Sequence, residues 1–351
     1  MVFVTLTLLL IPSRACDDSP TSIGSYRFPL AEQHGIDAER LEEAYISAER
    51  SDRVNSLLVE RHGVLVAEAY FRGYGPDSLN TVWSVTKSFN SALIGIAIDQ
   101  GYIESVNDSI ADYLGSVVPD LDPEKGSITL RNLLTMASGL PWVEEGLDSE
   151  FADWTASDDQ LMYILDKPLV YAPGERFDYS DGAAHLASVV LSEATGMTTH
   201  AFARQHLFDP LGFEATEWWV DNQGYNFGGV GLGVGSRDMV KFGRLCLDGG
   251  VYDGRRIISS QWIAESTAPQ IRTDPDDPDS SEYGYFWWID GCSIHSCYRA
   301  SGYSGQLIFV VPDLDLVAVV TSDWSGDRNR AMANWYLAYV LIAYEVLPAV
   351  R

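Results

Sequence analysis

The sequence predicts a mixed α/β (α+β) fold. Its antiparallel sheet is built from both ends of the chain and flanked by helices. Two observations predict this: strand-like runs occur near both termini, and helical periodicity dominates the middle. We expect a candidate signal segment at 1–20, a discontinuous α/β domain from 21–101 and 263–351, and a mainly helical inserted domain at 102–262. A functional cleft is expected between the two regions.

The N-terminal part of the predicted sheet is a hairpin followed by a helix. Ser56–Glu60 and Val64–Tyr70 are β-rich runs on either side of Arg61-His62-Gly63, a turn-like tripeptide. From Ser84 to Gln100 the apolar residues recur at helical spacing. Ser84 is therefore placed at a helix N-terminus.

The middle and the C-terminal part differ in pattern. Helices are predicted, between Gly and Pro turns, over segments that include Thr129–Met136, Ala183–Ala194 and Arg237–Leu247. Strands return towards the end of the chain and a helix closes it: Tyr283–Ile289, Ser296–Ala300, Gln306–Val311 and Leu316–Thr321 are the predicted strands, and Arg328–Glu345 is the helix.

Composition excludes one class of partner. The 351 residues are 46% hydrophobic, which suffices for a large core, and the net charge is −27. Binding of nucleic acid requires clustered Lys and Arg to contact phosphates, and this acidic chain lacks them. We expect a small-molecule partner, no nucleic acid and no cofactor; nothing in the sequence predicts an oligomeric state.

The N-terminus predicts export. Val2–Pro12 is an apolar run long enough for the core of a signal peptide and too short for a stable membrane anchor, so no integral anchor is expected. Ser13-Arg14-Ala15-Cys16 loosely matches a lipoprotein cleavage site, which would make Cys16 a lipidation site, and a cytoplasmic location stays as the alternative.

The other cysteines predict a disulfide and a core residue. Cys292 and Cys297 flank a four-residue tip between apolar segments, where a disulfide would suit an oxidising compartment. The alternative, a metal site with His295, lacks a second group of ligands to complete four-coordination, so no metal is predicted. Cys246 lies in an apolar helical stretch and is expected in the core.

The candidate chemistry starts with Ser84 and Lys87. Residues three apart on a helix lie on the same side, so the Lys87 amine can accept the Ser84 hydroxyl proton. The free N–H groups and the dipole at a helix N-terminus favour the oxyanion that forms when Ser84 attacks a carbonyl. The alternative for this S-x-x-K pair in isolation is a solvated serine with a surface lysine.

Two later motifs supply further groups. Tyr179-Ser180-Asp181 follows a Pro-Gly turn and can place a phenol and a carboxylate towards a cleft, where Tyr179 could relay protons to Lys87. Ala300-Ser301-Gly302-Tyr303 enters a predicted strand, where small residues let substrate approach the sheet edge. The N–H of Tyr303, with that of Ser84, is the predicted oxyanion hole.

In this order and spacing, the serine, the lysine, the tyrosine motif and the small-residue strand resemble the β-lactamase and penicillin-binding-protein superfamily of serine hydrolases. Within it the sequence is most similar to family VIII-type carboxylesterases and 6-aminohexanoate-dimer hydrolases. The resemblance implies a β-lactamase-like fold, Ser84, Lys87 and Tyr179 as catalytic residues, and ester or small linear amide substrates. Asp181, Ser301 and Gly302 are the predicted substrate-binding residues.

Two positions depart from that pattern. Asp181 stands where many members carry Asn, and a carboxylate there would attract Lys87. Ala300 stands where penicillin-recognising members carry a cation, so an anionic β-lactam or D-Ala-D-Ala terminus loses an anchor; Arg299 could replace it, but strand alternation points Arg299 away. β-Lactamase or D-Ala-D-Ala peptidase activity, and a non-catalytic binding or sensor protein, are the alternatives.

Other site types fit less well. The glycine-rich stretch 229–235 matches no nucleotide-binding motif and is predicted to be a strand or a close-packed loop. No G-x-S-x-G pentapeptide is present to support an α/β-hydrolase triad, and His185 is expected to pack on its helix. Four tryptophans in the helical region are candidates for an apolar substrate pocket, although each could instead be in the core: Trp142, Trp154, Trp218 and Trp219.

Overall fold

A computed structural model describes residues 26–144, 150–292 and 294–351, except the side chain of Asp290. The candidate signal segment at 1–20, including Cys16, lies outside the described residues. Within the described ranges, no helix has the length and apolar character needed to cross a membrane.

Thirteen strands are described, and most of them belong to one sheet. They are, in chain order, β1 (Val54–Arg61), β2 (Val64–Tyr70), β3 (Leu79–Thr81), β4 (Glu217–Trp218), β5 (Leu232–Gly235), β6 (Val251–Tyr252), β7 (Arg255–Arg256), β8 (Ile271–Arg272), β9 (Glu282–Tyr283), β10 (Trp288–Cys292), β11 (His295–Gly302), β12 (Gln306–Val311) and β13 (Leu316–Ser322).

The helices are concentrated between β3 and β8. They are α1 (Ala38–Ser51), α2 (Val85–Asp99), α3 (Ala111–Leu114), α4 (Pro123–Gly126), α5 (Leu130–Leu134), α6 (Phe151–Ala156), α7 (Gln160–Leu165), α8 (Asp181–Thr195), α9 (Thr199–Ala203), α10 (Asp209–Leu211), α11 (Ser236–Leu247), α12 (Ser260–Ser266) and α13 (Arg328–Val340). Short 3₁₀ turns cover Glu32–His34, Pro312–Leu314 and Leu347–Ala349, and π-helical turns cover Arg204–Phe208 and Leu341–Val346.

The main sheet confirms the predicted fold class. Its eight strands are antiparallel in the order β2-β1-β13-β12-β11-β10-β9-β8, so the N-terminal hairpin pairs with the last strand of the chain. A three-stranded sheet, β3-β5-β4, and the β6-β7 hairpin complete the strand pairing. β5 occupies part of the glycine-rich stretch 229–235, for which a strand was one of the two predictions and a close-packed loop the other.

The later predictions hold with two corrections. The run Tyr283–Ile289 is divided into β9 and β10 because the chain turns at Gly284 to Trp287, where Phe286 has a φ of 62°. The predicted helix Arg328–Glu345 is α-helical only to Val340 and continues as the π-helical turn. The predicted disulfide joins Cys292 and Cys297 across the β10-β11 hairpin.

Alternation along the strands divides the core into two layers. In β13, Val317 and Val319 pack with the helical region, whereas Leu316, Ala318 and Val320 pack on the face that α1 and α13 cover. Every residue of β12 and β13 is buried, because both faces of these central strands are covered by helices. Cys246, as expected, lies in the core on the helical side.

Helix α11 packs directly on the sheet, although it falls inside the range 102–262. A Cβ on Gly243 would lie 2.6 Å from Val317 and 3.0 Å from Ile308, so the glycine sets how closely α11 approaches β12 and β13. The division into a discontinuous α/β domain and a helical insertion stays a prediction. Within the range 102–262 of the predicted insertion, α11 lies on the sheet.

Helix α2 is held by its neighbours on several sides. Asn90 donates hydrogen bonds to the carbonyls of Ala184 in α8 and of Gly228, and the Ser88 hydroxyl donates to the carbonyl of Phe286. Gly95 packs so closely against the ring of Trp262 that a Cβ there would lie 2.4 Å from it. These contacts fix the rotation and position of the helix that carries Ser84 and Lys87.

We predict that Gly95→Ala lowers the free energy of unfolding by about 1–2 kcal/mol, because overpacking against Trp262 outweighs the helix preference of alanine. Gly115→Ala is the control: Gly115 has helical φ and ψ of −60° and −23°, and its Cβ would meet only the Ala111 carbonyl, at 3.8 Å. Its stability should change by no more than about 0.5 kcal/mol. Urea denaturation of both variants decides; equal effects would contradict the close packing of α2.

Candidate active site

Ser84 lies where the chain enters α2. The preceding residue, Trp83, has a φ of 49°, an uncommon conformation for a large side chain. Ser84 is the N-cap residue of α2, yet its side chain makes no capping hydrogen bond. The hydroxyl is therefore left for other partners, while the N–H groups of Val85, Thr86 and Lys87 donate to the carbonyls of Val82, Trp83 and Ser84.

Lys87 is the centre of the site. Its Nζ lies 3.0 Å from Ser84 Oγ, 2.5 Å from Asp181 Oδ1 and 3.1 Å from the carbonyl oxygen of Gly229. The residue is only 1% exposed. An ammonium group has three N–H donors, and the three acceptors match them.

Tyr179 is the second proton-carrying group at the nucleophile. Ser84 is close enough to act on the Tyr179 pKa, which it lowers slightly, and Lys87 Nζ lies 4.7 Å from the Tyr179 ring centroid. Burial raises the pKa of Tyr179 well above its ordinary value, and the nearby charges of Glu144 and Asp181 act in the same direction. The phenol therefore keeps its proton over the neutral pH range.

Asp181 and two glycines form the wall behind Lys87. Asp181 begins α8 and is 2% exposed, and its predicted attraction to Lys87 takes the form of a buried ion pair. A Cβ on Gly229 would lie 2.6 Å from Asp181 Oδ1, and one on Gly228 would lie 2.0 Å from the Ala184 carbonyl oxygen. Only glycine fits at these two positions.

Strand β11 lies alongside the start of α2. A Cβ on Gly302 would lie 2.4 Å from the carbonyl oxygen of Val82 and 3.3 Å from the N atom of Ser84, so a larger residue would push the strand away. Tyr303 follows at the end of the strand, with its ring centroid 5.1 Å from that of Trp83. The structure thus brings Gly302 and Tyr303 to the nucleophile.

Ser301 lies on the other face of the sheet. Its hydroxyl accepts a hydrogen bond of 2.8 Å from Trp335 Nε1 in α13, because alternation along β11 turns it away from Ser84. The Ser301 side chain therefore does not face the nucleophile, although Ser301 was predicted to contact substrate. Arg299 faces the same way and packs against the rings of Trp335 and Tyr339. Ala300, buried, is on the face of α2.

Of the four candidate pocket tryptophans, three are in the core. Trp142, Trp154 and Trp218 are buried, whereas Trp219 is 40% exposed and lies near the nucleophile. The sequence did not predict a group of rings around Trp83. We name this group the Trp83 cluster, and its members are Trp83, Phe151, Trp219, Tyr303 and Trp324. A second group, the Tyr179 cluster, consists of Tyr179, Phe177, Tyr283 and Trp288.

His185 is outside the site. It is fully buried, and its Nε2 lies 3.0 Å from Asp221 Oδ2. Among the described residues, no group of three His, Cys, Asp or Glu side chains is placed to hold a metal ion. The groups at Ser84 are therefore a hydroxyl, an amine, a phenol and a carboxylate, which suit nucleophilic attack with proton transfer.

Sequence reasoning missed Gly229 and Trp83 as parts of the site. The signal for Gly229 is the doublet Gly228-Gly229, which indicates close backbone packing; the prediction of a strand or close-packed loop for 229–235 did not connect it with the site. Trp83 stands directly before the candidate nucleophile, but nothing in the sequence indicates its positive φ or its contacts with four other rings.

Comparisons with known proteins identify the family of the chain and its fold. Residues 48–342 match the family described as beta-lactamase. The 6-aminohexanoate-dimer hydrolase of Paenarthrobacter ureafaciens is 26% identical over 306 residues, which are 80% of this chain and 75% of that protein.

Two solved structures show a similar fold at low identity. EstCE1, described as a hydrolase with promiscuous acyltransferase activity, is 17% identical, with a TM-score of 0.71 over 92% of this chain and 99% of that one. The octameric penicillin-binding protein homologue from Pyrococcus abyssi is 18% identical, with a TM-score of 0.69 over 88% and 77% of the two chains.

We predict strong energetic coupling between Lys87 and Asp181. Lys87→Met should lower the free energy of unfolding by about 3–5 kcal/mol, because it leaves a buried carboxylate without its partner. Lys87→Met/Asp181→Asn should recover part of that loss, with a coupling of about 1–3 kcal/mol in a double-mutant cycle.

The control for this cycle is the exposed pair Arg204 and Asp209, at 3.0 Å, for which a coupling of about 0–1 kcal/mol is expected. Urea denaturation of all variants gives both couplings. Additive effects at Lys87 and Asp181 would contradict the buried ion pair.

Proposed function

This chain belongs to the beta-lactamase family, and on that premise we propose that it is a serine hydrolase that cleaves carboxylic esters or small linear amides through an acyl-enzyme on Ser84. The observation that carries the proposal is the placement of Lys87 Nζ 3.0 Å from Ser84 Oγ and 4.7 Å from the ring centroid of Tyr179, at the N-terminus of α2. The name of the Paenarthrobacter relative, a 6-aminohexanoate-dimer hydrolase, supports a small linear substrate.

Acylation begins with attack by Ser84 Oγ on the substrate carbonyl carbon. A bond forms between them, and the hydroxyl proton passes to Lys87. Lys87 must hold the amine form to accept it, and its own proton has an acceptor in Asp181 Oδ1 at 2.5 Å. Because both groups are buried, this exchange needs no release of a proton to solvent.

Tyr179 protonates the leaving group. Its raised pKa keeps the phenol protonated at neutral pH, so it acts as a donor rather than as a tyrosinate base. As the tetrahedral intermediate collapses, the carbonyl-to-leaving-group bond breaks, the departing oxygen or nitrogen takes the Tyr179 proton, and Lys87 returns a proton to Tyr179. Water then attacks the acyl-enzyme through the same groups, releasing the acid and restoring Ser84.

Backbone N–H groups stabilise the oxyanion. In this proposal the donors are the N–H of Ser84, at the positive end of the α2 dipole, and the N–H of Tyr303. The close approach of Gly302 to Ser84 N supports this assignment, because it holds the end of β11 beside the nucleophile. Gly302 contributes by being small enough for substrate to lie along the strand.

Esters and neutral amides suit the site better than anionic β-lactams. Ala300 offers no positive charge on the face of α2, and the guanidinium of the neighbouring Arg299 packs among the rings of Trp288, Trp335 and Tyr339. A substrate carboxylate would therefore lack the ion pair that usually anchors it. The predicted substrate-binding role of Asp181 gives way in this proposal to its role beside Lys87.

We further propose that the protein is exported. The disulfide between Cys292 and Cys297 supports this location, since such bonds persist in oxidising compartments.

The test is hydrolysis of ethyl butyrate, whose alkoxide leaving group needs a proton, by the wild type, Ser84→Ala and Tyr179→Phe across the neutral pH range. Ser84→Ala should abolish turnover. Tyr179→Phe should lower kcat/KM by about 10²–10⁴-fold, because the leaving group loses its proton donor. The ratio of variant to wild type should stay constant from about pH 6 to about pH 9, because Tyr179 does not ionise there.

Tyr336→Ala serves as the control, since this exposed residue of α13 is outside the site. A ratio that changed strongly with pH would contradict the donor role of Tyr179. Absence of turnover in folded wild type, with several esters and amides, would favour the non-catalytic binding protein.

A further inference from the structure

The Trp83 cluster adjoins the nucleophile and is open to solvent. Trp83 directly precedes Ser84, and its ring centroid lies 5.1–6.1 Å from those of its four neighbours. Trp219 is 40% exposed, Tyr303 38% and Trp324 44%. Large aromatic side chains exposed together next to a reactive group indicate a binding surface for an apolar ligand.

A cleft extends the Trp83 cluster away from the nucleophile. It has a volume of about 310 Å³, and Phe151 and Trp219 belong both to its lining and to the cluster. Its other lining residues include Val220, which is 56% exposed, and Phe227. None of Ser84, Lys87 and Tyr179 lines it, so the cleft is a neighbouring subsite and not the place of reaction.

The two aromatic clusters near Ser84 are separate groups. Tyr179 contacts Phe177, Tyr283 and Trp288, and among the described residues no ring contact joins this cluster to the Trp83 cluster. The leaving group must approach Tyr179 to receive its proton. The part of the substrate that stays bound to Ser84 is then directed towards the Trp83 cluster.

The cleft carries no positive charge. Its lining contains no Lys or Arg, and its one carboxylate, that of Asp221, is engaged. Asp221 Oδ2 pairs with His185 Nε2, and Oδ1 accepts from the N–H groups of Gln223 and Tyr225. A neutral apolar group can therefore enter without leaving a charge unpaired, whereas a carboxylate would find no partner.

We propose that the Trp83 cluster and the adjoining cleft form the acyl-group subsite, and that the favoured substrates carry a neutral, linear acyl group that ends in an apolar or aryl group. This inference rests on the proposed hydrolase function and adds to it the chemical class of the acyl part. Trp219 is the specificity-determining residue, because it borders both the nucleophile side and the cleft.

The experiment varies the acyl group at a constant leaving group. The substrates are p-nitrophenyl acetate, p-nitrophenyl hydrocinnamate and the mono-p-nitrophenyl ester of glutaric acid. Wild type should prefer hydrocinnamate to acetate in kcat/KM by about tenfold or more, and Trp219→Ala should lose most of that preference. Trp219→Phe should retain it, and Tyr336→Ala should behave as wild type.

A second variant tests the subsite independently, in case Trp219→Ala does not fold. Val220→Arg places a cation at an exposed position of the cleft, and it should raise kcat/KM for the glutarate monoester relative to hydrocinnamate by about tenfold. A further series, phenyl acetate against ethyl acetate, varies only the leaving group, and Trp219→Ala should leave that ratio unchanged.

The outcomes separate the two proposals. Ser84-dependent hydrolysis of acetate without preference for hydrocinnamate, or with a preference that Trp219→Ala leaves intact, would overturn the acyl-subsite inference alone. A change confined to the leaving-group series would also overturn it. Absence of Ser84-dependent hydrolysis with every ester would overturn the proposed function, and the inference with it.

Discussion

The site depends on how Lys87 is buried. Lys87 is 1% exposed, so each polar hydrogen on its Nζ requires a partner. The partners come from three separate segments: Ser84, Asp181 at the start of α8, and the Gly229 carbonyl before β5. These segments have to be held at fixed distances before the chemistry can work. Much of the helical region serves that purpose.

Small residues and helix-to-helix hydrogen bonds provide the holding. Gly228 and Gly229 allow the chain to pass against α8 and Asp181, and Asn90, one turn after Lys87, donates to both neighbouring segments. Gly302 does the same for β11, which can approach the start of α2 only without a side chain. Glycines at these positions therefore allow the buried charge of Lys87 and the partly buried Ser84 to lie side by side.

The fold class and the three groups at Ser84 were predictable from the sequence, because helical spacing puts Ser84 and Lys87 on one side of α2 and the motif order indicates the family. The partner of Lys87 was anticipated from its charge, although Asp181 is 94 positions further along the chain. The Trp83 cluster was not predictable, since it joins residues from separate loops and from the start of α6. The face of Ser301 was predictable: the alternation that points Arg299 away from the site also points Ser301 away, since the two residues are two apart on β11.

The central claim is that Ser84 is an activated nucleophile, and covalent labelling with a fluorophosphonate tests it most directly. Intact mass and peptide mapping would be compared for wild type and Ser84→Ala, both checked for native folding. The account predicts one adduct per chain, located on Ser84 and absent from the variant. A folded wild type that stays unlabelled, or an adduct that persists in Ser84→Ala, would contradict it.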